Sequence, residues 1–360
     1  MRLCFLTHNL DFKNGGGRLS NDLLTQLHIA RPDITIDVLT MAKSGDPREQ
    51  AILCTNKIKL LFSFFKIRKM LREADIVQAM DIMPLGIIAY LFSRGLKKKI
   101  IITVIGSGSI QPLHRWFWRS LCAYIYRRVS KVTAISSYSA GEIKKIIPDL
   151  SVEIINPGIN YHYFVQQQSS YIVLDEPFIL SVGRLKPRKG YEFSIRAFAK
   201  IAAQYPALKY IIVGSGQGEY YHKINKLISD LNLASRIIIK QGIADAELVS
   251  LYKSAELFCL LPQNVDFDIE GFGLVFVEAA ALGLPVVGTK DSGAEDAVQD
   301  GQNGFLAKAN NFDSAAQALD KILGDKGLRQ RFSQNSLEFA KKFDWSVIIK
   351  KYINLYELLL

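Results

Sequence analysis

Short β-branched runs alternate with longer amphipathic segments along the whole chain, and this alternation constrains the fold more than any other feature. Six runs in the first half read as strands: Arg2–Leu6, Thr35–Leu39, Ile76–Gln78, Ile100–Val104, Lys131–Ala134 and Val152–Ile155. Six more follow in the second half: Pro177–Val182, Tyr210–Val213, Arg236–Lys240, Leu257–Leu260, Pro285–Gly288 and Gly304–Leu306. Helical spacing separates the strands, for example over Leu113–Val129, and the apolar run Met83–Phe92 indicates a buried helix. Strands that alternate with helices form parallel sheets with helices on both faces. The two series therefore predict an α/β protein with two doubly wound domains.

The length of the chain agrees with two domains. It has 360 residues, and a single core rarely grows past ~250–300 residues. We expect the boundary within Gly158–Glu176, because the polar run QQQSS at 166–170 has no strand or helix pattern. This gives a first domain over residues 1–165 and a second over 166–343. The last helix, 344–360, is long for one that only closes the second domain, and its length allows a return to the first. Ligands bind such domains beyond the carboxyl ends of the strands, so a central cleft between the domains is the expected site.

The composition excludes several classes of protein. Apolar residues make up 49% of the chain and charged residues 22%, a balance that excludes disordered and collagen-like sequences. No apolar run approaches the ~20 residues of a membrane-spanning helix, and the apolar run in MRLCFLTHNLDF is too short for a signal peptide. The cysteines, Cys4, Cys54, Cys122 and Cys259, are far apart and form no C-x-x-C. This spacing excludes a disulfide framework or a zinc site and fits a reducing cytoplasm.

The net charge of +11 is confined to one half of the chain. Residues 1–165 hold 23 Lys and Arg against 12 Asp and Glu, whereas residues 166–360 hold 22 of each. A one-sided excess indicates that the first domain faces an anionic partner.

The segment Glu270-Gly-Phe-Gly-Leu-Val-Phe-Val-Glu278 carries the strongest chemical signal. Its glycines permit a tight turn and a close approach of a ligand to the backbone, and a helix is expected over Leu274–Leu282. The N–H groups that begin such a helix attract phosphate. A carboxylate there would repel phosphate, so Glu270 and Glu278 are better suited to accept hydrogen bonds from hydroxyls. The alternative for Glu278 is an ordinary solvent-facing position.

A second signal is the loop Ser181-Val-Gly-Arg-Leu-Lys-Pro-Arg-Lys-Gly190, directly after a strand. Arg184 and Lys189 are the candidates for neutralising a diphosphate leaving group, since Arg does so bidentately and Lys as a point charge. For Lys186 and Arg188 the sequence does not decide between this role and a position on the solvated surface.

Two weaker glycine loops also follow strands. In Asn14-Gly-Gly-Gly-Arg18 the spacing does not match G-x-G-x-x-G, and a tight turn explains Val213-Gly-Ser-Gly-Gln-Gly218 equally well.

Taken together, these segments resemble the retaining, nucleotide-sugar-dependent glycosyltransferases of family 4, which have two Rossmann-like domains in the GT-B fold. The resemblance runs nearly end to end. It is carried by Gly16-Gly17, SVGRLKPRKG, IIVGSGQG, IKQGIADAELVSLYKSAELFCLLP, IEGFGLVFVEAAALGLPVVGTKDSGAEDAV, QNGFL and the terminal FDWSVIIKKYINLYELL.

The resemblance implies roles for the matching positions. Arg184 and Lys189 would bind the diphosphate, and Glu270 would contact the transferred sugar; these three form the catalytic set. Glu278 would bind the ribose, and Gly242 and Ile243 would border the base. The full donor set implied in this way is Gly16, Gly17, Gly183, Arg184, Lys189, Gly214, Gly242, Ile243, Glu270, Gly271, Phe272, Gly273, Leu274, Val275 and Glu278. Such enzymes require no metal or other cofactor beyond the donor substrate.

One departure from the family pattern concerns the reacting sugar. The family often has histidine in a T-x-H-G loop after the fourth strand, where this chain has Thr103-Val-Ile-Gly-Ser107. Because Ile105 cannot donate to a hydroxyl, either Gly106, Ser107 or Ser109 substitutes, or the acceptor does, or activity is reduced or lost. His8, after the first strand, is a further candidate, although a structural role is equally compatible with its position.

The basic first domain also mixes its cations with aromatic residues. They lie together in Lys57–Arg72 and in His114–Lys131, and Lys97–Lys99 add three more charges. Basic amphipathic helices with aromatics suit an anionic membrane surface, and the alternative is that the apolar faces pack on the sheet. No nucleic-acid recognition module is visible.

We therefore expect a cytoplasmic, peripherally membrane-associated retaining glycosyltransferase. It would transfer a sugar from a nucleoside-diphosphate sugar, with uridine favoured and guanosine second, to a hydroxyl of a lipid-linked, lipopolysaccharide or surface polysaccharide acceptor. The alternatives are a catalytically silent scaffold or partner subunit, and another GT-B reaction such as an epimerase or a phosphorylase.

Overall fold

A computed structural model describes residues 1–12, 14–167, 171 and 174–360. Within it the chain divides into two compact units. Unit 1 comprises Met1–Gly158 together with Trp345–Leu360, and unit 2 comprises Ile159–Asp344. The division after Gly158 lies at the start of the expected segment Gly158–Glu176, seven residues before the bound placed after residue 165. Part of the polar run that suggested that bound, residues 168–170, falls outside the described residues.

Unit 1 is built on a seven-stranded parallel sheet with the order β3-β2-β1-β4-β5-β6-β7. Its strands are β1 (Arg2–Thr7), β2 (Thr35–Thr40), β3 (Glu49–Gln50), β4 (Ile76–Met80), β5 (Lys99–Val104), β6 (Lys131–Ala134) and β7 (Glu153–Ile154). Its helices are α1 (Gly15–Ala30), α2 (Lys57–Glu73), α3 (Ile87–Phe92), α4 (Ser107–His114), α5 (Trp116–Arg128) and α6 (Ser137–Lys144). The central strands β1, β4 and β5 are almost wholly apolar and, apart from the first residues of β1 and β5, buried, as expected for a parallel sheet covered on both faces.

Unit 2 is built on a six-stranded parallel sheet with the order β10-β9-β8-β11-β12-β13. Its strands are β8 (Phe178–Val182), β9 (Lys209–Val213), β10 (Ile237–Lys240), β11 (Leu257–Cys259), β12 (Val286–Thr289) and β13 (Gly304–Ala307). Its helices are α7 (Tyr161–Gln166), α8 (Tyr191–Ile201), α9 (Glu219–Asp230), α10 (Asp245–Ser254), α11 (Leu274–Ala281), α12 (Ala294–Ala297), α13 (Phe312–Gly324) and α14 (Lys326–Lys341). A last helix, α15 (Trp345–Leu359), belongs to unit 1.

In each sheet the order of the strands reverses at one point, and this point is where a ligand-binding crevice is expected. In unit 1 the order reverses between β1 and β4, and in unit 2 between β8 and β11. Loops that leave the carboxyl ends of two such strands diverge to opposite faces and leave a crevice. The candidate loops after β8 and β11 flank this position in unit 2.

The helix α15 completes unit 1 by packing against its sheet and α1. Its buried side chains include Trp345, Tyr352 and Tyr356, and the Tyr356 hydroxyl donates to Gln78 Oε1 on β4. Gly158 lies so close to the Trp345 ring that a Cβ there would come within 2.5 Å of it.

Two helical predictions are wrong in detail. The single helix expected between Leu113 and Val129 is two helices, α4 and α5, with Arg115 in an extended conformation between them. The buried helix expected over Met83–Phe92 begins with a π-helical turn, Ile82–Gly86, where Met83 has non-helical dihedral angles. Across the described ranges of the chain, no helix is long and apolar enough to cross a bilayer.

Candidate functional site

The loop after β8 is fixed by close backbone contact with the loop after β9. The N–H of Gly183 donates to the Val213 carbonyl at 2.9 Å, and the N–H of Leu185 donates to the Ser215 carbonyl at 2.9 Å. A Cβ on Gly214 would lie only 1.8 Å from the Gly183 carbonyl oxygen. Gly214 is therefore required for the close packing of these two loops.

The loop after β8 ends in a tight turn that contains two of its cations, Arg188 and Lys189. Residues Pro187–Lys189 form one 3₁₀ turn, and Gly190 follows in the left-handed region with φ +69°. A Cβ on Gly190 would lie 1.7 Å from the Leu261 carbonyl oxygen, in the loop after β11. Glycine at this position therefore allows the two switch-point loops of unit 2 to meet.

At this meeting point the structure brings three charged side chains together. Lys189 Nζ lies 2.7 Å from Glu270 Oε2, and Arg188 Nη1 lies 2.5 Å from the same oxygen. Lys189 and Glu270 are both buried, and Arg188 is mostly so. Arg188 also donates to the Ile269 carbonyl at 3.2 Å, and its Nε lies 3.5 Å from Asp268 Oδ1.

Burial and mutual attraction perturb both buried partners. Burial lowers the pKa of Lys189, with Arg188 acting in the same direction and Glu270 opposing it. Burial alone would raise the pKa of Glu270, but the charges of Lys189 and Arg188 and their hydrogen bonds together lower it. A carboxylate held ionised between two cations in a dry position can orient a hydroxyl without binding a proton itself.

The helix α11 begins directly beyond Glu270. Gly273 precedes it with φ +81°, where a Cβ would come within 2.7 Å of the Phe276 ring. Phe272 is buried, whereas Leu274 and Val275 are half-buried, and N–H groups in a first helical turn have no acceptor inside the helix. Such a helix start is a seat for a phosphate group.

The loop after β12 supports this helix start. The N–H of Gly293 donates to the Glu270 carbonyl at 3.0 Å, and a Cβ on Gly293 would come within 2.4 Å of Gly271. The backbone at Gly271 is thus fixed by its close packing against Gly293.

Glu278 is buried in the second turn of α11, and the solvent-facing alternative for it is wrong. Its Oε2 accepts a hydrogen bond from the Tyr252 hydroxyl of α10 at 3.3 Å.

The remaining donor-site candidates of unit 2 are less buried than Glu278. Arg184 is exposed. Gly242 (φ +65°) is exposed after β10 with open space around its Cα, and Ile243 is half-buried.

The two candidate glycines of unit 1, Gly16 and Gly17, differ in how closely other atoms pack against them. The Gly17 N–H donates to the Asn14 side chain at 2.7 Å, and a Cβ on Gly17 would come within 2.5 Å of Asn9 and Asp11. Gly17 therefore serves the close packing of the loop after β1. Gly16 has room for a ligand, since the atom nearest to a Cβ at this position would be 3.9 Å away.

A buried carboxylate anchors the loop after β5 in unit 1, which carries Ile105, Gly106 and Ser107. Asp81, directly after β4, accepts hydrogen bonds from the Ser109 hydroxyl at 2.6 Å and the Ile105 N–H at 3.2 Å. Burial raises its pKa, whereas the bond from Ser109 and the backbone N–H groups of this loop lower it. The loop that carries Gly106 and Ser107 is therefore fixed to the switch point of the first sheet. His8, exposed at the end of β1, lies on the other side of that switch point.

Sequence reasoning misses two members of these clusters. It does not decide between a ligand role and solvated surface for Arg188, and it does not consider Asp81. The available signal is position, because both residues follow strands that flank a switch point, and a charged residue there meets the opposite loop.

The fold and these loops define a protein with two doubly wound α/β units and a buried cluster of charges at the switch point of unit 2. The family model described as "Glycosyltransferase Family 4" matches residues 14–163, and the family model described as "Glycosyl transferases group 1" matches residues 164–339. The chain belongs to glycosyltransferase family 4 and has the GT-B fold, which confirms the predicted family and fold class.

Named relatives resemble the chain over much of its length. The GDP-mannose-dependent alpha-(1-6)-phosphatidylinositol monomannoside mannosyltransferase of Mycolicibacterium smegmatis is 28% identical over 255 residues, covering 67% of this chain and 65% of that protein. The chain thus spans just under two thirds of that relative's length.

Among solved structures, HepE of Anabaena in complex with UDP and glucose has a TM-score of 0.80 at 20% identity, covering 99% of both chains. WaaG, a glycosyltransferase involved in lipopolysaccharide biosynthesis, has a TM-score of 0.72 at 18% identity, covering 98% of this chain and 99% of WaaG. At these identities the likeness is one of fold.

Proposed function

We propose that the protein is a retaining glycosyltransferase that moves a sugar from a nucleoside-diphosphate sugar to a hydroxyl acceptor. The observation that carries this proposal is the cluster at the unit 2 switch point, where Lys189 and Glu270 meet beside the start of α11. Cations and helix N–H groups suit a diphosphate, and an ionised carboxylate suits sugar hydroxyls.

In the proposed reaction, Arg184 and Lys189 stabilise the negative charge that builds on the diphosphate as the glycosidic bond breaks. The acceptor hydroxyl attacks the anomeric carbon on the face that the diphosphate leaves, and the departing phosphate takes the proton. The sugar therefore keeps its anomeric configuration. Glu270 holds the sugar by its hydroxyls, and Glu278 binds the ribose.

We propose that this reaction requires no metal ion, because protein cations take the place of one. Arg184 can bind phosphate oxygens bidentately, and Lys189 supplies a compact charge on the same loop. The start of α11 adds partial positive charge from a third direction.

For the nucleotide, uridine is our first choice and guanosine the second. HepE, whose fold is similar, is described in complex with UDP and glucose, whereas the M. smegmatis relative is named as GDP-mannose-dependent. Both bases are therefore included in the test below.

For the acceptor, we propose a lipid-linked or lipopolysaccharide-type glycan reached at an anionic membrane surface on the cytoplasmic side. WaaG is described as acting in lipopolysaccharide biosynthesis, and the M. smegmatis relative is named for a phosphatidylinositol mannoside acceptor. The charge of the chain supports the same proposal, since its whole excess lies in residues 1–165.

The helix α2 supports membrane contact because it has two apolar stripes on opposite sides. One stripe, including Ile67 and Leu71, is buried in unit 1. The other is Ile58, Leu61, Phe62 and Phe65, which are 69%, 72%, 84% and 81% exposed. Exposed cations, among them Lys66, Lys69 and Arg72, flank or continue this second stripe. An apolar stripe bordered by cations suits the interface of an anionic bilayer.

A thermal-shift screen against UDP, GDP, ADP and their sugar conjugates tests the donor site. A ligand that binds only the folded state stabilises it by ~2.7 kcal/mol at a hundredfold excess over the dissociation constant. We expect a shift with one nucleotide in the wild type, and its loss in Arg184→Ala and Glu278→Ala. Lys186→Ala is the matched control, since Lys186 is an exposed cation of the same loop. The absence of a shift with every nucleotide would contradict the proposal.

A catalytically silent scaffold is the second candidate, and Ile105 is the observation that favours it. Ile105 is tied to Asp81 by its backbone and offers no donor to a sugar hydroxyl. Hydrolysis or transfer of the bound donor separates the two functions. Turnover that Lys189→Ala abolishes supports the enzyme, whereas nucleotide binding without turnover supports the scaffold.

A further inference from the structure

Glu270 has two cationic partners, although one would satisfy its charge. Lys189 Nζ and Arg188 Nη1 both bind Oε2, at 2.7 and 2.5 Å. A buried carboxylate left without a counter-charge is strongly unfavourable. A second cation would let Glu270 keep a counter-charge whenever the first one binds another group.

The two cations differ in how firmly the protein holds them. Arg188 is tied to the loop that carries Glu270, through the Ile269 carbonyl at 3.2 Å and Asp268 at 3.5 Å, and its own carbonyl accepts the Gln263 N–H at 2.9 Å. A guanidinium with several partners in fixed directions stays in one orientation.

Lys189 lies instead beside Gly183, at the start of the loop after β8. A Cβ on Gly183 would lie 3.3 Å from Lys189 Cε and 3.5 Å from its Nζ, so the ammonium group lies beside the backbone of the loop to which we assign the donor diphosphate. Its three N–H donors on a flexible stem can turn toward a phosphate.

We propose that Arg188 is a positioning residue that holds the Glu270 carboxylate in place while Lys189 binds the donor diphosphate. This inference rests on the proposed donor site and adds a division of labour to it. Without Arg188, Glu270 would depend on Lys189 alone, and the carboxylate and the diphosphate would compete for one ammonium group.

The inference predicts a change in the pH dependence of ligand affinity when Arg188 is replaced. The charge of Arg188 lowers the pKa values of both Glu270 and Lys189, so its removal raises both. The acid and alkaline limits of ligand affinity should then both move to higher pH. The other ionisable groups around the cluster are Asp268 on the same loop, Arg184 on the β8 loop and Tyr191 on α8, together with Glu295 on the segment packed behind Glu270, and all remain unchanged in the variants.

Isothermal titration calorimetry with UDP, GDP, UDP-glucose and GDP-mannose tests the inference over a pH range that extends below the ordinary pKa of a glutamate, about 4.3, and up to that of a lysine, about 10.4. We expect Arg188→Gln to weaken binding of the preferred nucleotide by roughly tenfold to a hundredfold, with both pH limits displaced upward. Arg188→Lys keeps the charge and should restore most of the affinity. Lys186→Gln removes a cation from the same loop and should stay within about twofold of the wild type.

Two results would overturn the inference alone. One is wild-type affinity and pH profile in Arg188→Gln, and the other is an equal loss in Lys186→Gln, which would mean that only the total charge of the loop matters. A wild type that binds none of the four ligands contradicts the proposed function itself. Thermal melting of each variant checks that unit 2 remains folded.

Discussion

Glu270 is the residue on which both the stability and the proposed chemistry of unit 2 depend. It is buried beside two cations whose charges hold it ionised. Such a group stabilises the folded chain only in the protonation state for which its surroundings are built. Its removal therefore has a consequence that does not involve a substrate.

Replacing Glu270 with Gln should destabilise unit 2 at neutral pH by roughly 3–5 kcal/mol, because it leaves Lys189 and Arg188 without their buried counter-charge. The pKa of Glu270 is lowered in the folded chain, so its contribution is present above the unfolded pKa of about 4.3 and is lost as the pH falls further. Urea unfolding between pH 7 and pH 3 measures the difference in free energy of unfolding between variant and wild type. That difference should shrink below about pH 4.

The control for this measurement is Glu338→Gln, since Glu338 forms an exposed pair with Lys341 on α14. It should unfold like the wild type at every pH. If the difference in free energy of unfolding between Glu270→Gln and the wild type stayed constant down to pH 3, the carboxylate charge would not be what stabilises the site.

At the level of single residues, the sequence predicts positions better than partners. Glu270 and Lys189 are identified because their segments follow strands and carry glycines. The contact between them joins residues 81 positions apart, and no local pattern encodes which cation of Arg184, Lys186, Arg188 and Lys189 turns inward. That choice depends on the turn at Pro187–Lys189 and on Gly190 lying against Leu261.

Among the elements of the chain, the turn at Gly190 joins the two loops of the unit 2 site. Alanine at Gly190 would hold a left-handed conformation at a cost of about 1–2 kcal/mol, and its Cβ would overlap the Leu261 carbonyl oxygen. We expect Gly190→Ala to lower the melting temperature strongly and to abolish nucleotide binding.

Gly141→Ala is the matched control for that substitution. Gly141 lies inside α6 with open space around its Cα, so alanine there should stabilise the chain by about 0.4–1 kcal/mol. Differential scanning calorimetry compares the two variants. A Gly190→Ala protein that melts with the wild type would contradict the packing argument.

The exposed stripe of α2 makes a second prediction about an element. Phe62 and Leu358 are equally exposed, at 84% each, on α2 and α15 of the same unit. Phe62→Ser together with Phe65→Ser should greatly reduce sedimentation with anionic lipid vesicles, whereas Leu358→Ser should not. Binding should also weaken with salt, because each cation near the surface contributes ~1 kcal/mol.

Equal sedimentation of the two variants would exclude α2 as the membrane contact. Loss of folding would not confuse this result, since each replaced side chain is exposed and contributes little to the core. Vesicles of neutral lipid serve as the second control, and we expect weak binding to them.

Elements are predicted well where periodicity is strong and less well where the tertiary structure decides. The buried strands β1, β4 and β8 lie within two residues of their expected bounds. The two-residue strand β3 has no pattern of its own and exists because Val38 and Leu39 on β2 pair with it. The break between α4 and α5 at Arg115 is missed, because apolar spacing continues across it.

In the molecule as a whole, the charge follows the division into units. Unit 1 holds 25 Lys and Arg against 13 Asp and Glu, a formal charge of +12, and unit 2 holds 20 against 21, a charge of −1. The two units thus carry separate properties. The anion-attracting surface that we propose for the membrane is in unit 1, and the cluster that we propose for the donor is in unit 2.

This separation predicts that unit 2 folds and binds nucleotide by itself. The chain enters and leaves it at one point, where the Ile159 N–H donates to the Phe343 carbonyl at 2.8 Å and the Tyr161 N–H donates to Asp344 at 3.1 Å. A unit with its own core and adjacent ends is suited to independent folding. We expect a fragment of residues 159–344 to melt cooperatively and to show a thermal shift with the same nucleotide as the full chain.

Removing residues 345–360 should have the opposite effect on unit 1. The helix α15 buries Trp345, Tyr352 and Tyr356 in that unit although 186 residues of unit 2 separate it from Gly158. A chain ending at residue 344 should therefore lose the cooperative unfolding of unit 1 and keep that of unit 2, which calorimetry resolves as one transition lost and one retained. Retention of both transitions would mean that α15 is dispensable, and the loss of both would mean that the two units fold only together.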